Sequence, residues 1–120
     1  MSLGSLTLEF MHVPGHAGDH LLVYVPEHRV ALTGDLLFVG KIGGTAGERA
    51  AREELRSLER VLNELPGQTT VWPGHDFGCR PASTLDLERA TNPFLQCEDF
   101  EAFYELKRTW ADFKESHGLT

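Results

Sequence analysis

The hydrophobic pattern predicts four short β-strands, at residues 6–11, 21–25, 30–33 and 69–72. In the first strand Leu6, Leu8 and Phe10 fall at every second position, which is the period of a strand with one buried face. The second strand is apolar throughout, as expected of a strand that is covered on both faces. Turn-forming residues separate the second strand from the third, so we expect these two to pair as a hairpin.

A single apolar stripe predicts the longest helix, over residues 45–65. The stripe recurs at intervals of three and four residues and consists of Ala51, Leu55, Leu58, Leu62 and Leu65. Thr45 with Glu48 three residues later has the pattern of a capping box, and Pro66 ends the segment. We expect this helix to pack its stripe against one face of the sheet.

Two more helices are predicted in the last third of the chain. A brief one, capped by Ser83 or Asp86, should end before Pro93, because the residue preceding a proline leaves the α region. The last helix should span about residues 99–117 and carries a stripe of bulky side chains: Phe100, Phe103, Leu106, Trp110 and Phe113. The sequence therefore predicts an α/β fold in which helices cover one face of a small β-sheet.

The length of the chain indicates the number of domains, and its charge indicates which partners are expected. We interpret residues 1–5 as a tag or disordered start and residues 6–120 as one domain. The net charge is −7 and basic residues form no block, so nucleic acid is not an expected partner. No apolar run is long enough to cross a bilayer and no signal pattern opens the chain, so we expect a cytoplasmic protein. Cys79 and Cys97 are too few for a disulfide framework and are expected to be free thiols.

Three loops at the predicted strand ends carry residues typical of metal ligands. The loops are residues 12–20, 33–35 and 72–76. Their candidate ligands are His16, Asp35 and His75, an imidazole–carboxylate–imidazole set that suits Zn²⁺ or Fe²⁺. Glycine or proline beside each candidate lets the backbone turn sharply enough to aim the side chain. Strands that end at the same rim of a sheet would bring the three loops together.

The motifs in these loops resemble the metallo-β-lactamase superfamily, nearest its glyoxalase II and persulfide dioxygenase branches. The matching stretches follow the order of the family and are His12 to His20, Thr33 to Phe38, Val71 to Asp76 and Arg89 to Leu95. The resemblance implies that the chain forms half of an αββα sandwich, one layer of sheet and helices. It implies two metals, with His16 on the first, His75 on the second and Asp35 bridging them.

The resemblance also assigns supporting roles and a chemistry. It implies that His12 and His20 support the first ligand loop; Asp76 either orients His75 from behind or starts the following turn. A metal-activated water would attack a small-molecule ester or thioester, whereas the persulfide dioxygenase branch uses a single iron and oxygen. Phe77 stands where glyoxalase II enzymes have a tyrosine that binds glutathione, so glutathione is not favoured as the substrate.

The signature His-x-His-x-Asp-His loop of the family does not occur in this sequence. Without it, each of two metals would have two ligands, whereas a catalytic zinc site ordinarily has three. One metal held by His16, Asp35 and His75 together is the alternative. We therefore expect an incomplete half of a metal-dependent hydrolase that is inactive alone. The rival interpretations are a half-enzyme completed by another chain, and a non-catalytic dimerisation or binding module that inherited the fold.

The predicted layer leaves one apolar face of its sheet without cover inside the chain. In the complete sandwich the other half of the fold packs on this face. A bare apolar face is an interaction site, so we expect a homodimer in which a second copy takes the place of the other half.

Overall fold

The structure is a computed structural model of the chain and describes residues 1–75 and 82–116. Its elements in chain order are β1 (Ser2–Leu3), β2 (Leu6–Thr7), β3 (Glu9–His12), β4 (Leu21–Val25), β5 (Val30–Gly34), α1 (Glu48–Glu64), β6 (Thr70–Pro73), β7 (Ser83–Thr84), α2 (Leu85–Thr91), α3 (Phe100–Arg108) and α4 (Trp110–Ser116). The α/β class that the sequence predicts is confirmed.

The main sheet has five strands in the order β3-β4-β5-β6-β7, and β1 pairs with β2 in a separate small hairpin. Strands β4 and β5 form the predicted antiparallel hairpin. The chain then passes through α1 and returns as β6, which lies parallel to β5. Because β3 is antiparallel to β4, it runs in the same direction as β5 and β6. The carboxyl ends of β3, β5 and β6 therefore meet at one rim of the sheet.

Helix α1 packs its apolar stripe on the sheet, and Ala51, Leu58 and Val61 are fully buried there. The predicted capping box at its start is wrong, because the helix begins at Glu48 and Gly47 is the N-cap with no side-chain hydrogen bond. The Glu48 carboxylate instead accepts a hydrogen bond from Arg52 at 3.1 Å, one turn along the helix.

The C-terminal part of the chain forms two helices where one was predicted. Helix α3 begins after Asp99, whose side chain caps it, and ends at Thr109, where the backbone leaves the α region at φ −112° and ψ 17°. The aromatic stripe is part of the core: Phe103 is fully buried and the ring centroids of Phe94 and Trp110 are 4.7 Å apart. The cap of α2 is Thr84, not Ser83 or Asp86, since its side chain accepts the hydrogen bond from the Leu87 amide.

The sheet face opposite the helices is apolar and uncovered within the described residues. Phe10, Val23, Leu32 and Trp72 are cross-strand neighbours and form a continuous row over four strands. Phe10, Leu32 and Trp72 are 48%, 44% and 52% exposed. The expectation that strand 21–25 is covered on both faces is therefore wrong. The predicted strand 6–11 is divided between β2 and β3, which belong to different sheets. In β3 the buried face is the opposite of the one predicted, because Met11 packs on the core and Phe10 is exposed.

No helix within residues 1–75 and 82–116 is long and apolar enough to cross a membrane. Cys97 is a half-buried free thiol that donates a hydrogen bond to the Pro93 carbonyl at 3.4 Å, and burial raises its pKa. Cys79 lies outside the described residues.

Candidate metal centre

The three predicted ligands meet at the rim where β3, β5 and β6 end. The Nδ1 atom of His75 lies 2.8 Å from Oδ1 of Asp35, and Nε2 of His16 lies 3.5 Å from Oδ2. Each imidazole therefore contacts a different oxygen of the same carboxylate. All three side chains are partly exposed, between 33% and 54%. The loops thus converge as the strand directions require.

The imidazole of His16 is oriented by the loop that follows β5. Its Nδ1 atom lies 2.7 Å from the carbonyl oxygen of Gly44. A carbonyl oxygen only accepts, so Nδ1 is the donor and carries the proton. The neutral ring then has its lone pair on Nε2, which faces Asp35. A fixed second nitrogen of this kind is the usual arrangement in a metal-binding histidine.

The other histidines of the first loop contact backbone groups. Nε2 of His12 lies 2.6 Å from the carbonyl oxygen of Gly18, within the same loop, and Nε2 of His20 accepts a 3.4 Å hydrogen bond from the Asp35 amide. Burial lowers the pKa of His20, partly offset by the Asp35 carboxylate. These contacts are the structural basis for loop support, which stays a prediction. Asp76 and Phe77 lie outside the described residues.

The backbone conformation and the close packing at the end of β5 both require glycine at position 34. Its φ of +56° lies in the left-handed region, and a Cβ atom there would sit 2.4 Å from Nε2 of His20. Its carbonyl accepts a 2.8 Å hydrogen bond from the Gly74 amide, which ties the second ligand loop to the third. The Thr-Gly-Asp motif therefore places Asp35 between the two histidine loops.

The loop from β5 to α1 is held by a buried polar network at its middle. The Gly40 amide donates to the Glu88 carboxylate at 2.8 Å, and the Asn92 side chain donates to the same oxygen at 2.9 Å and to the Lys41 carbonyl at 3.3 Å. Glu88 and Asn92 are almost fully buried. Asn92 belongs to the segment 89–95, which carries part of the family resemblance, and it therefore stabilises this loop.

A second buried polar group, missed by the sequence predictions, lies behind the candidate ligands. Nζ of Lys107 donates to Oε1 of Glu54 at 2.7 Å and to the Gly43 carbonyl at 2.9 Å. The Glu54 side chain has no exposed surface. Burial raises the Glu54 pKa to about 7, while the Lys107 ammonium acts in the opposite direction. The sequence contains one signal for this buried group. Glu54 lies three residues after Ala51, so it falls on the same face of α1 as the apolar stripe.

A cavity of about 390 Å³ adjoins the candidate centre and shares Gly43 and Gly44 with it. Its wall combines cationic and aromatic side chains: Lys41, Lys107, Arg108, Phe94, Tyr104 and Trp110. A cavity of this composition suits a ligand with an anionic group and an apolar part.

The donor types of the centre fit Zn²⁺ or Fe²⁺, and the fixed ring of His16 fits a ligand. Within residues 1–75 and 82–116, however, no group of three or more His, Cys, Asp or Glu side chains is arranged to hold a metal ion. Asp35 is hydrogen-bonded to His75 instead. The residues present supply part of a metal site, consistent with a ligand set that needs further donors.

Comparison with known proteins places this arrangement in a family. The family model for the metallo-beta-lactamase superfamily matches residues 1–90. The chain is 32% identical over 103 residues to the mitochondrial persulfide dioxygenase ETHE1 of Bos taurus, covering 83% of this chain and 41% of that protein. It is 34% identical over 96 residues to the hydroxyacylglutathione hydrolase GloC of Haemophilus influenzae, covering 79% and 43%. The chain spans about two fifths of the length of these relatives.

Solved structures agree with the fold. The crystal structure of ETHE1 from Myxococcus xanthus superposes with a TM-score of 0.80 at 30% identity, covering 92% of this chain and 48% of that one. The structure of TTHA1623 in a di-iron-bound form superposes with a TM-score of 0.62 at 38% identity, covering 79% and 45%. The family match, the ordered ligand loops and the half-sandwich architecture lead to one conclusion: this chain belongs to the metallo-beta-lactamase superfamily.

Proposed function

We propose that this chain supplies the His16, Asp35 and His75 half of the metal centre of a hydrolase that cleaves an ester or thioester. The observation that carries the proposal is the position of Asp35 between the two imidazoles, which come from separate loops. Hydroxyacylglutathione hydrolases among the relatives support hydrolysis as the reaction class.

The contacts of Asp35 favour two metals over one. His16 and His75 approach different oxygens of the carboxylate, which is the arrangement expected of a bridging residue between two neighbouring ions. Convergence of all three side chains on one centre would instead direct both imidazoles at the same point. The di-iron-bound form of TTHA1623 supports a two-metal site in this family.

Bound Zn²⁺ or Fe²⁺ would supply Lewis acidity and lower the pKa of a coordinated water. The chain itself would orient the ligands: the Gly44 carbonyl fixes the tautomer of His16, and the Asp35 carboxylate holds His75. The adjoining cavity, with Lys41 and Arg108 in its wall, would receive the anionic part of the substrate. Iron is the alternative to zinc, because persulfide dioxygenases are also among the relatives.

The half-centre requires donors from a second layer. Three protein ligands divided over two metals leave each below the three that a catalytic zinc site ordinarily has. The apolar sheet face ends at the same rim as the ligand loops, since Trp72 lies on that face three residues before His75. A layer packed on this face would bring its own rim beside the centre. We propose that in the isolated chain this layer is a second copy, and that the chain alone does not turn over substrate.

Metal binding and thioester hydrolysis test the proposal together. Purified chain is titrated with Zn²⁺ and, without oxygen, with Fe²⁺ by calorimetry, and hydrolysis of a generic thioester is followed with and without an added chain that carries a His-x-His-x-Asp-His loop. We expect metal binding by the chain alone and hydrolysis only in the mixture. His75→Ala should lose both, whereas His28→Ala, an exposed histidine in the β4–β5 turn, should lose neither.

The bare sheet face favours one second candidate, a non-catalytic binding module. That function would be indicated by wild-type chain that binds neither metal and gives no hydrolysis in the mixture. Metal binding that His75→Ala leaves unchanged would also contradict the proposed centre.

A further inference from the structure

The ligand loop of His16 is packed against α1 at the position of Glu54. A Cβ atom on Gly15 would lie 2.5 Å from Cβ of Glu54 and 2.6 Å from its Cα, so the backbone before His16 touches the helix directly. Glu54 is fully buried, and its second oxygen, Oε2, has no hydrogen-bond partner among the described residues. Glu54 is therefore held by one partner, the Nζ atom of Lys107.

Lys107 connects this helix to the loop that orients His16. Its Nζ donates to Glu54 Oε1 at 2.7 Å and to the Gly43 carbonyl at 2.9 Å, and the next carbonyl, that of Gly44, accepts from Nδ1 of His16 at 2.7 Å. The side chain of Lys107 is only 10% exposed. Two successive carbonyl groups are thus fixed, one by the ammonium and the other by the imidazole.

The loop has little room to move at this point. A Cβ atom on Gly43 would lie 1.8 Å from the Asp35 carbonyl oxygen and 3.3 Å from Nδ1 of His16. The peptide between Gly43 and Gly44 consequently touches both the first and the second ligand loops. A change in the direction of either carbonyl would move the acceptor that determines which nitrogen of His16 carries the proton.

We propose that Lys107 is a positioning residue for His16. It holds the Gly43–Gly44 backbone so that the Gly44 carbonyl fixes the Nδ1–H tautomer and leaves the Nε2 lone pair directed at Asp35. Glu54 fixes Lys107 in turn, and so couples the last part of the chain to the candidate metal centre. The inference rests on the proposed function only in taking His16 as a metal ligand.

The tautomer of His16 in metal-free protein is the decisive measurement. At a pH that keeps the imidazole neutral, nitrogen NMR should show the Nδ1–H form of His16 in the wild type and a mixture of both forms in Lys107→Met. The matched control is Arg108→Met, the next residue of α3, which lines the same cavity and contacts Glu105 instead. Zn²⁺ affinity should fall by about 10-fold in Lys107→Met, the lower end of what outer-shell changes cause, and stay unchanged in the control.

Lys107→Met leaves the Glu54 carboxylate buried without its cation, which itself destabilises the fold. The double variant Lys107→Met/Glu54→Met removes both charges and keeps similar volumes, so it carries the same test in folded protein. An unchanged Nδ1–H tautomer in the folded double variant would overturn the inference. If the wild type binds no zinc, the proposed function fails, while the tautomer measurement still decides the role of Lys107.

Discussion

The Nδ1 atom of His75 lies 2.8 Å from Oδ1 of Asp35, a residue 40 positions earlier in the chain. The other oxygen of the carboxylate faces Nε2 of His16 at 3.5 Å. The carboxylate of Asp35 thus contacts both imidazoles, one with each oxygen. The centre therefore depends most on Asp35.

Asp35→Asn should lower the affinity for Zn²⁺ by more than about 100-fold, because outer-shell changes alone cost 10–100-fold and this change removes a charged donor. The amide keeps the size of the carboxylate, so the fold should persist. Competition with a chromogenic chelator measures the affinity. Asp19→Asn, an exposed carboxylate in the loop of His16, is the control and should bind as the wild type does. Equal losses in both variants would contradict a role for Asp35 as a ligand.

The uncovered sheet face should make the isolated chain a dimer. Leu32 lies in the middle of the apolar row, between Val23 and Trp72, and is 44% exposed. Leu32→Glu should weaken association by about 100-fold or more, since burying a carboxylate without a partner costs several kcal/mol. Sedimentation equilibrium measures the association constant.

Leu3→Glu provides the matched control for this surface. Leu3 is 66% exposed and belongs to the separate β1–β2 hairpin, so its substitution should leave association unchanged. A wild-type chain that sediments as a monomer at every concentration would contradict the dimer.

The sequence predicted the convergence of the ligand loops because the ends of the strands can be read from the local pattern of apolar and turn-forming residues. A strand, a helix and a further strand in sequence is the usual way to connect parallel neighbours, and β5 and β6 are parallel. Asp35 and the loop of His75 then follow two neighbouring strands at the same rim. The one-sided helix layer was predictable for the same reason, since α1 carries a single apolar stripe.

The supporting network could not be predicted, because its parts are far apart in sequence. Lys107 contacts Glu54 and Gly43 because α3 packs on α1. Neither the hydrophobic periodicity nor a sequence motif predicts this contact. The start of α1 was also mispredicted. Thr45 and Glu48 satisfy a local rule, but the helix begins at Glu48 itself, with Gly47 as its N-cap.

Gly34→Ala should destabilise the protein by about 3 kcal/mol or more. A left-handed φ costs an alanine about 1 kcal/mol, and the added Cβ would also displace the ring of His20, which lies 2.4 Å away. Gly4→Ala separates the two contributions, since Gly4 has a similar φ of +61° and no atom within 4 Å of the added group. Urea unfolding measures both variants.

The double variant Gly34→Ala/His20→Ala should lose less stability than the sum of the two single variants, because removing the ring removes the clash. If Gly34→Ala and Gly4→Ala lower the free energy of unfolding equally, the contact with His20 does not contribute to the cost of the substitution.

The contribution of Glu54 to stability should fall as the pH rises from about 4.5 to about 7. Its pKa is raised from 4.5 to about 7 in the fold by burial, and the Lys107 ammonium opposes the shift. In this interval the folded protein retains a proton on Glu54 that the unfolded chain has released, so this group's contribution to the free energy of unfolding decreases with pH. Glu54→Gln keeps the shape of the side chain and removes the titration. The difference in unfolding free energy between this variant and the wild type should therefore change between about pH 4.5 and about pH 7 and be constant above about pH 7. Urea titrations at about pH 5 and about pH 8 measure the change. The same pH dependence in both proteins would mean that the Glu54 carboxyl keeps its ordinary pKa in the fold, which its complete burial beside a single cation makes unfavourable.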